Sequence, residues 1–152
     1  MPELVPKPLW KISLYRLLPR SQWESLRRSE LALSGNRCAV CLAAGPGLIC
    51  HERWFYNDGQ DLAVLVGFEI HCQDCDLVTH MGRAFMKGLG HRAIEQFCKQ
   101  NSSKPELAIA VFEHALSTWR ERNKKTWAVG FDDSVIAKYP MLAGLIEATA
   151  NE

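Results

Sequence analysis

Cys38-Ala39-Val40-Cys41 and Cys72-Gln73-Asp74-Cys75-Asp76-Leu77-Val78-Thr79-His80, separated by thirty residues, decide how this chain folds. Two Cys-x-x-Cys pairs supply the four thiolates of a tetrahedral zinc site, and a metal so held contributes directly to folding. Thirty residues exceed the loop of a short zinc ribbon, so something folded must lie between the pairs. Leu48 to Tyr56, the turn signal Asn57-Asp58-Gly59 and the β-branched run Leu62 to Ile70 predict a hairpin there. After Cys72 a short helix is expected through Asp74 to His80, ended by Gly82. It would set Asp76 and His80 four residues apart on one face.

Outward from this core, Ser21-Gln22-Trp23-Glu24 has the form of a capping box and Gly35 offers a stop, predicting a helix over 22–34. Beyond Gly90 the pattern is helical. His91 to Gln100 forms one segment, and Ser103-Lys104-Pro105-Glu106 opens a second as another capping box with proline in its first turn. Ala108, Val111, Phe112, Ala115, Leu116 and Trp119 fall on one stripe of that helix, with Arg120, Arg122, Lys124 and Lys125 at its end. The stripe reads as core, Cys98 as a buried thiol and His114 as surface. The expected class is α+β in a single domain, 1–152. It comprises an N-terminal arm and helix (1–36), a zinc-bound core (37–82) and a helical C-terminal extension (83–152).

Net charge is +1, which argues against a strongly basic nucleic-acid wrapper, but its distribution is uneven. Residues 1–41 carry seven Lys/Arg against three acids, 42–80 one against six, and 81–152 ten against eight. An acidic centre suits a cation. Basic residues such as Arg16, Arg20, Arg27, Arg28 and Arg37 suit a phosphate backbone, or simply solvated helix faces. Leu62 to Phe68 is the longest clean apolar run, too short to cross a membrane. The proline-broken N-terminus lacks the apolar core of a secretory signal, so a reducing cytoplasm is expected, where six cysteines are metal ligands or thiols before they are disulfides.

Cys50-His51-Glu52-Arg53-Trp54-Phe55-Tyr56, then Cys72 to His80 followed by Met81-Gly82, then Trp119-Arg120-Glu121-Arg122 ahead of Trp127, resemble the zinc-stapled HNH endonucleases, and within them a bacterial subgroup with a Cys-His-Glu first motif. The resemblance is strong over 37–82 and weak outside it. It implies a ββα-metal fold. It implies also that His51 is the general base drawing a proton from the attacking water, a role suited to an imidazole of ordinary pKa about 6.5. By position it makes Cys50, Asp76 and His80 the ligands of a second, catalytic metal. A sulfur, oxygen and nitrogen set would favour a zinc-like cation over magnesium. Three positions depart from the family pattern. Gly67 stands where the family has the Asn that braces the base, Asp76 stands for a His, and Cys50 for an Asp or His. Glu52, beside the base, is a candidate to orient it. Trp54 and Tyr56 read as hairpin packing.

Two functions follow. One is a metal-dependent endonuclease hydrolysing phosphodiester bonds in DNA, with His51 as base. The other is a catalytically degenerate zinc module that binds nucleic acid, or a protein partner through its C-terminal helices. A thiol redox role for either Cys pair lacks the βαβ context it needs.

Overall fold

The hairpin forms where the pattern places it. β1 (Ile49–Asn57) and β2 (Leu62–His71) pair antiparallel, Ile49 opposite His71 and Asn57 opposite Leu62. Asn57 closes the turn by accepting the backbone N–H groups of Gly59 and Gln60 through Oδ1, both at 3.2 Å, an Asx turn. The computed structural model describes residues 1–145, so the last seven residues of the expected C-terminal extension lie outside the described residues.

The ladder slips once. Arg53 faces Gly67 while Trp54 faces Leu65, leaving Val66 as the extra residue of a β-bulge. Gly67 takes φ +152° there, a backbone conformation that L side chains rarely adopt. Glycine at 67 therefore suits the backbone of the bulge.

Around the hairpin lie α1 (Leu14–Leu17), α2 (Arg20–Leu33), α3 (Gln73–Thr79), α4 (Met81–Met86), α5 (Gly90–Asn101), α6 (Pro105–Arg122), β3 (Ala128–Phe131) and α7 (Asp133–Lys138). The architecture is α+β. The C-terminal extension is not wholly helical, because β3 joins the edge of β2 in parallel, giving the sheet order β1-β2-β3. Helix α2 begins at Arg20 after Pro19, with no side-chain cap, so Ser21 already lies inside the helix and the expected capping box does not operate. Its end is as read: Gly35 has φ +61° and Asn36 donates back to Leu31 O at 2.9 Å. Lys104, not Ser103, is the N-cap of α6, and the buried Ser103 hydroxyl has no hydrogen-bond partner among the described residues. Gly82 does not end a helix either. The chain kinks at His80 and continues as α4 with Gly82 inside it.

The main core packs one face of the sheet against α1, α2 and α7, with Leu14, Leu26, Leu65 and Leu142 fully buried among Cys50, Ile70 and Phe131. Each such leucine contributes about 1.5–3 kcal/mol of apolar burial. A second cluster, Met81, Ala84, Ala93, Phe97 and Ala108, holds α4, α5 and α6 together. Trp54 and Tyr56 do pack the hairpin, through ring contacts with Phe131 at 6.4 Å and Trp127 at 5.5 Å. Of the α6 stripe, Ala108 is core and Trp119 only half-buried. Cys98 is likewise half-buried and not buried outright, while His114 is exposed.

Candidate metal centre

The Cys38–Cys41 pair sits on a knuckle after α2. Cys38 N–H donates to Ala43 O at 2.8 Å and Leu42 N–H returns to Cys38 O at 3.0 Å, with Leu42 at φ +61°. Ala39 N–H then donates to Ile70 O at 2.8 Å, fixing the knuckle to the end of β2. The second pair belongs to α3, with Cys72 as its N-cap and Cys75 in its first turn. Together these contacts bring the four Sγ atoms within 4.8 Å of one another, Cys41 and Cys72 at 3.5 Å. Tetrahedral zinc with Zn–S near 2.3 Å sets sulfurs about 3.8 Å apart, so the cluster is compatible with zinc. Burial works against a charged thiol at Cys38, but backbone donors from Cys41, Cys72 and Val40 outweigh it and lower its pKa to about 7. Burial raises Cys41 and Cys75, whose sulfur also accepts from Gln96 Nε2 at 3.1 Å. A cation held among the four sulfurs would ionise all of them.

A second group forms on the outer face of the hairpin, which is not the group expected. His51 lies opposite Glu69 across the ladder, and His71 is its diagonal neighbour. The two imidazoles stack with centroids 5.2 Å apart at 16°. Asp76, on the first turn of α3, completes a trio whose ligand atoms lie within 4.8 Å of one another. His80 stands beside it, its ring centroid 4.8 Å from that of His51 and its Nε2 3.6 Å from Asp76 Oδ1. Arg83 pairs with the other oxygen of Asp76 at 3.2 Å.

Cys50 is absent from this group. Successive strand residues face opposite sides, so with His51 on the outer face Cys50 points into the core, 8% exposed. Burial there, with the Glu30 and Glu52 carboxylates adding, pushes its thiol up to about 12. His71, which the motif did not single out, stands in the group where Cys50 was expected. Its signal was its place one residue before Cys72 and two after Glu69, on the parity of the outer face. Burial, then the neighbouring His51, lowers the pKa of His71. Burial takes His80 to about 4, with His51 adding to the fall and Asp76 opposing it. Both are thus neutral near pH 7 and have a lone pair to offer.

Glu52 does not orient His51. It faces inward, accepting from Leu14 N–H at 2.8 Å and Trp54 Nε1 at 3.1 Å, and so fixes the start of α1. His51 Nε2 instead meets Glu3 Oε2 at 3.3 Å. Two of the N-terminal arginines are tied to backbone: Arg27 donates to Leu48 O at 3.0 Å and Arg37 to Leu42 O at 3.2 Å. Lys7, Arg16 and Arg83 do line a cavity of about 1110 Å³ that opens beside His51, Asp76 and His80.

No family model matches the chain, and no curated protein or solved structure matches it. Among the described residues, no helix is long and apolar enough to cross a membrane. The chemistry of the site therefore has to carry the functional reading by itself.

Proposed function

We propose that the chain is an HNH-like, metal-dependent endonuclease on a ββα-metal scaffold stapled by structural zinc at Cys38, Cys41, Cys72 and Cys75, hydrolysing phosphodiester bonds in DNA. The observation that carries this reading is the convergence of His51, His71 and Asp76 on the outer face of the hairpin, with His80 beside them. With the lone pair of His51 kept for a proton, the imidazoles of His71 and His80 and the carboxylate of Asp76 would form a nitrogen and oxygen set of the kind that binds zinc, manganese or nickel in preference to magnesium. A divalent cation held there would stabilise charge on the phosphate and on the departing oxygen. His51, the family's base by position, lies at the edge of the trio and would take the proton of the attacking water. Arg83, 55% exposed on its side chain, can turn from Asp76 towards a phosphate oxygen, and Lys7 and Arg16 extend positive charge along the cavity.

One observation favours the alternative, a degenerate zinc module that binds nucleic acid or a protein partner. Arg83 and Asp76 already neutralise each other across 3.2 Å, so the outer face is electrostatically stable without a cation. Plasmid nicking separates the two. The nuclease reading expects nicking with zinc, manganese or nickel that is lost in His51→Ala and Asp76→Asn with the fold unchanged. One zinc per chain and no cleavage under any cation, with DNA still bound, would favour the alternative.

A further inference from the structure

We infer that Glu3 is the residue that positions His51, setting its tautomer so that Nδ1 is the nitrogen with the free lone pair; as a role in catalysis this rests on the reading of His51 as base. The segment bearing Glu3 is built into the fold. Val5 O accepts from the indole N–H of both Trp10 at 2.9 Å and Trp119 at 3.0 Å, and Lys7 N–H donates to Asn123 Oδ1 at 2.7 Å. Leu4 lies so close over α4 that a Cβ on Gly82 would stand 3.1 Å from its Cδ2, which gives that glycine its purpose.

Glu3 itself is held at both ends. Its N–H donates to Thr79 O at 2.8 Å, at the end of the helix that bears Asp76. Its carboxylate spans two side chains of β1, with Oε2 3.3 Å from His51 Nε2 and Oε1 accepting from the Tyr56 hydroxyl at 3.4 Å. The Glu3 side chain is 22% exposed and that of His51 9%, so water competes little for the contact. A carboxylate can only accept, so the imidazole nitrogen facing it carries the hydrogen, and in the neutral ring the lone pair is left on Nδ1.

The other candidates to brace His51 are engaged or lack the means. Glu52 faces the core, and Glu69 meets Arg53 at 3.3 Å and His71 at 3.2 Å. Gly67 has no side chain, and its φ of +152° disfavours one. A partner that fixes the tautomer of an active imidazole is worth about 10- to 100-fold in activity or metal affinity.

The test has an arm that needs no activity. In the full chain with ring-¹⁵N-labelled histidine, His51 should show protonated Nε2 and unprotonated Nδ1, and this preference should relax in Glu3→Ala. A Nδ1–H tautomer in the wild type, or an unchanged ring in Glu3→Ala, would overturn the inference. In plasmid nicking, Glu3→Ala should lower kcat about 10- to 100-fold with KM nearly unchanged, and Glu3→Gln, which keeps an acceptor oxygen, should recover part of it. Faster nicking by Glu3→Ala would make Glu3 a barrier to phosphate and end the proposal. Should Glu3→Ala fail to fold, Glu3→Gln and Glu3→Asp serve both arms, because each keeps a side-chain oxygen that can accept from the Tyr56 hydroxyl. If the wild type nicks nothing, the nuclease reading fails and the tautomer alone decides whether Glu3 positions His51.

Discussion

His71→Gln and Cys50→Ala, compared in one experiment, separate the metal centre that the geometry supports from the one that family position implies. His71 is 3% exposed and forms part of the outer trio, while Cys50 is 8% exposed and packs among Leu14, Leu26 and Ile70. Glutamine nearly fills the imidazole's volume but lacks its nitrogen lone pair, so His71→Gln removes one of three ligands without opening a large cavity. The expected loss in affinity for the second metal is about 100-fold or more, about 2.8 kcal/mol at 1.4 kcal/mol per tenfold. Cys50→Ala takes one sulfur out of the core, at a cost of about 1 kcal/mol, or a fall in Tm of about 2–4 °C for a domain of this size. It leaves metal binding alone.

Calorimetric titration of zinc into protein whose four-cysteine site is already filled reads the first effect, and thermal melting reads the second. The wild type and Cys50→Ala should each take up a second equivalent with matching affinity, and His71→Gln should not. The opposite pattern, with Cys50→Ala losing the second metal and His71→Gln keeping it, would mean that the thiol reaches the outer face. The strand parity argument would then be wrong.

Three further outcomes are expected. Chelation of the four-cysteine metal should abolish the fixed tertiary signal of the hairpin, because structural zinc contributes about 10–16 kcal/mol in small sites, as much as a whole domain's net stability; a near-UV spectrum and melt that ignore the chelator would refute this. Gly90→Ala should destabilise by about 1–3 kcal/mol despite a better helix former, since the new Cβ would stand 2.6 Å from Phe85 Cδ1 in a ring stacked on Phe112 at 4.9 Å, and adding Phe85→Leu should restore part of the loss. Arg122→Lys should lower stability by no more than about 1 kcal/mol, since Asp58 is half exposed, by replacing the two-point contact with Asp58 at 2.7 and 2.9 Å and the contact with the Tyr56 ring at 4.4 Å. The hydrogen bond from Arg122 holds the Asp58 carboxyl below its ordinary range, so the difference in Tm between wild type and mutant should be full above about pH 4 and shrink as pH falls through the depressed value.

How much was legible follows from how far each signal travels along the chain. The hairpin and its two cysteine pairs are local in sequence, and both could be read: turn chemistry at Asn57, β-branched runs on either side, and spacing that only a folded insert satisfies. The capping boxes failed because Ser21 lies two residues after the cap of its helix, Pro19, and Ser103 one residue before the cap of its own, Lys104. Four residues of β3 are too few to show a period, and their pairing is set by the exposed edge of β2 and not by their own pattern. Cys50 came from alignment to a motif, although strand parity already set it against His51. Taken strictly, parity would have put His71 on the outer face with His51, Arg53 and Phe55, though only the register around Val66 and Gly67 makes them neighbours. Glu3 had no local signal at all, being 48 residues from the histidine it meets. That distance carries a mechanistic consequence. Gly67 offers no side chain from which the neighbouring strand could brace His51, whereas Glu3 reaches it from a segment that folds back over the site, so on the proposed reading the geometry of His51 depends on the N-terminal arm being docked.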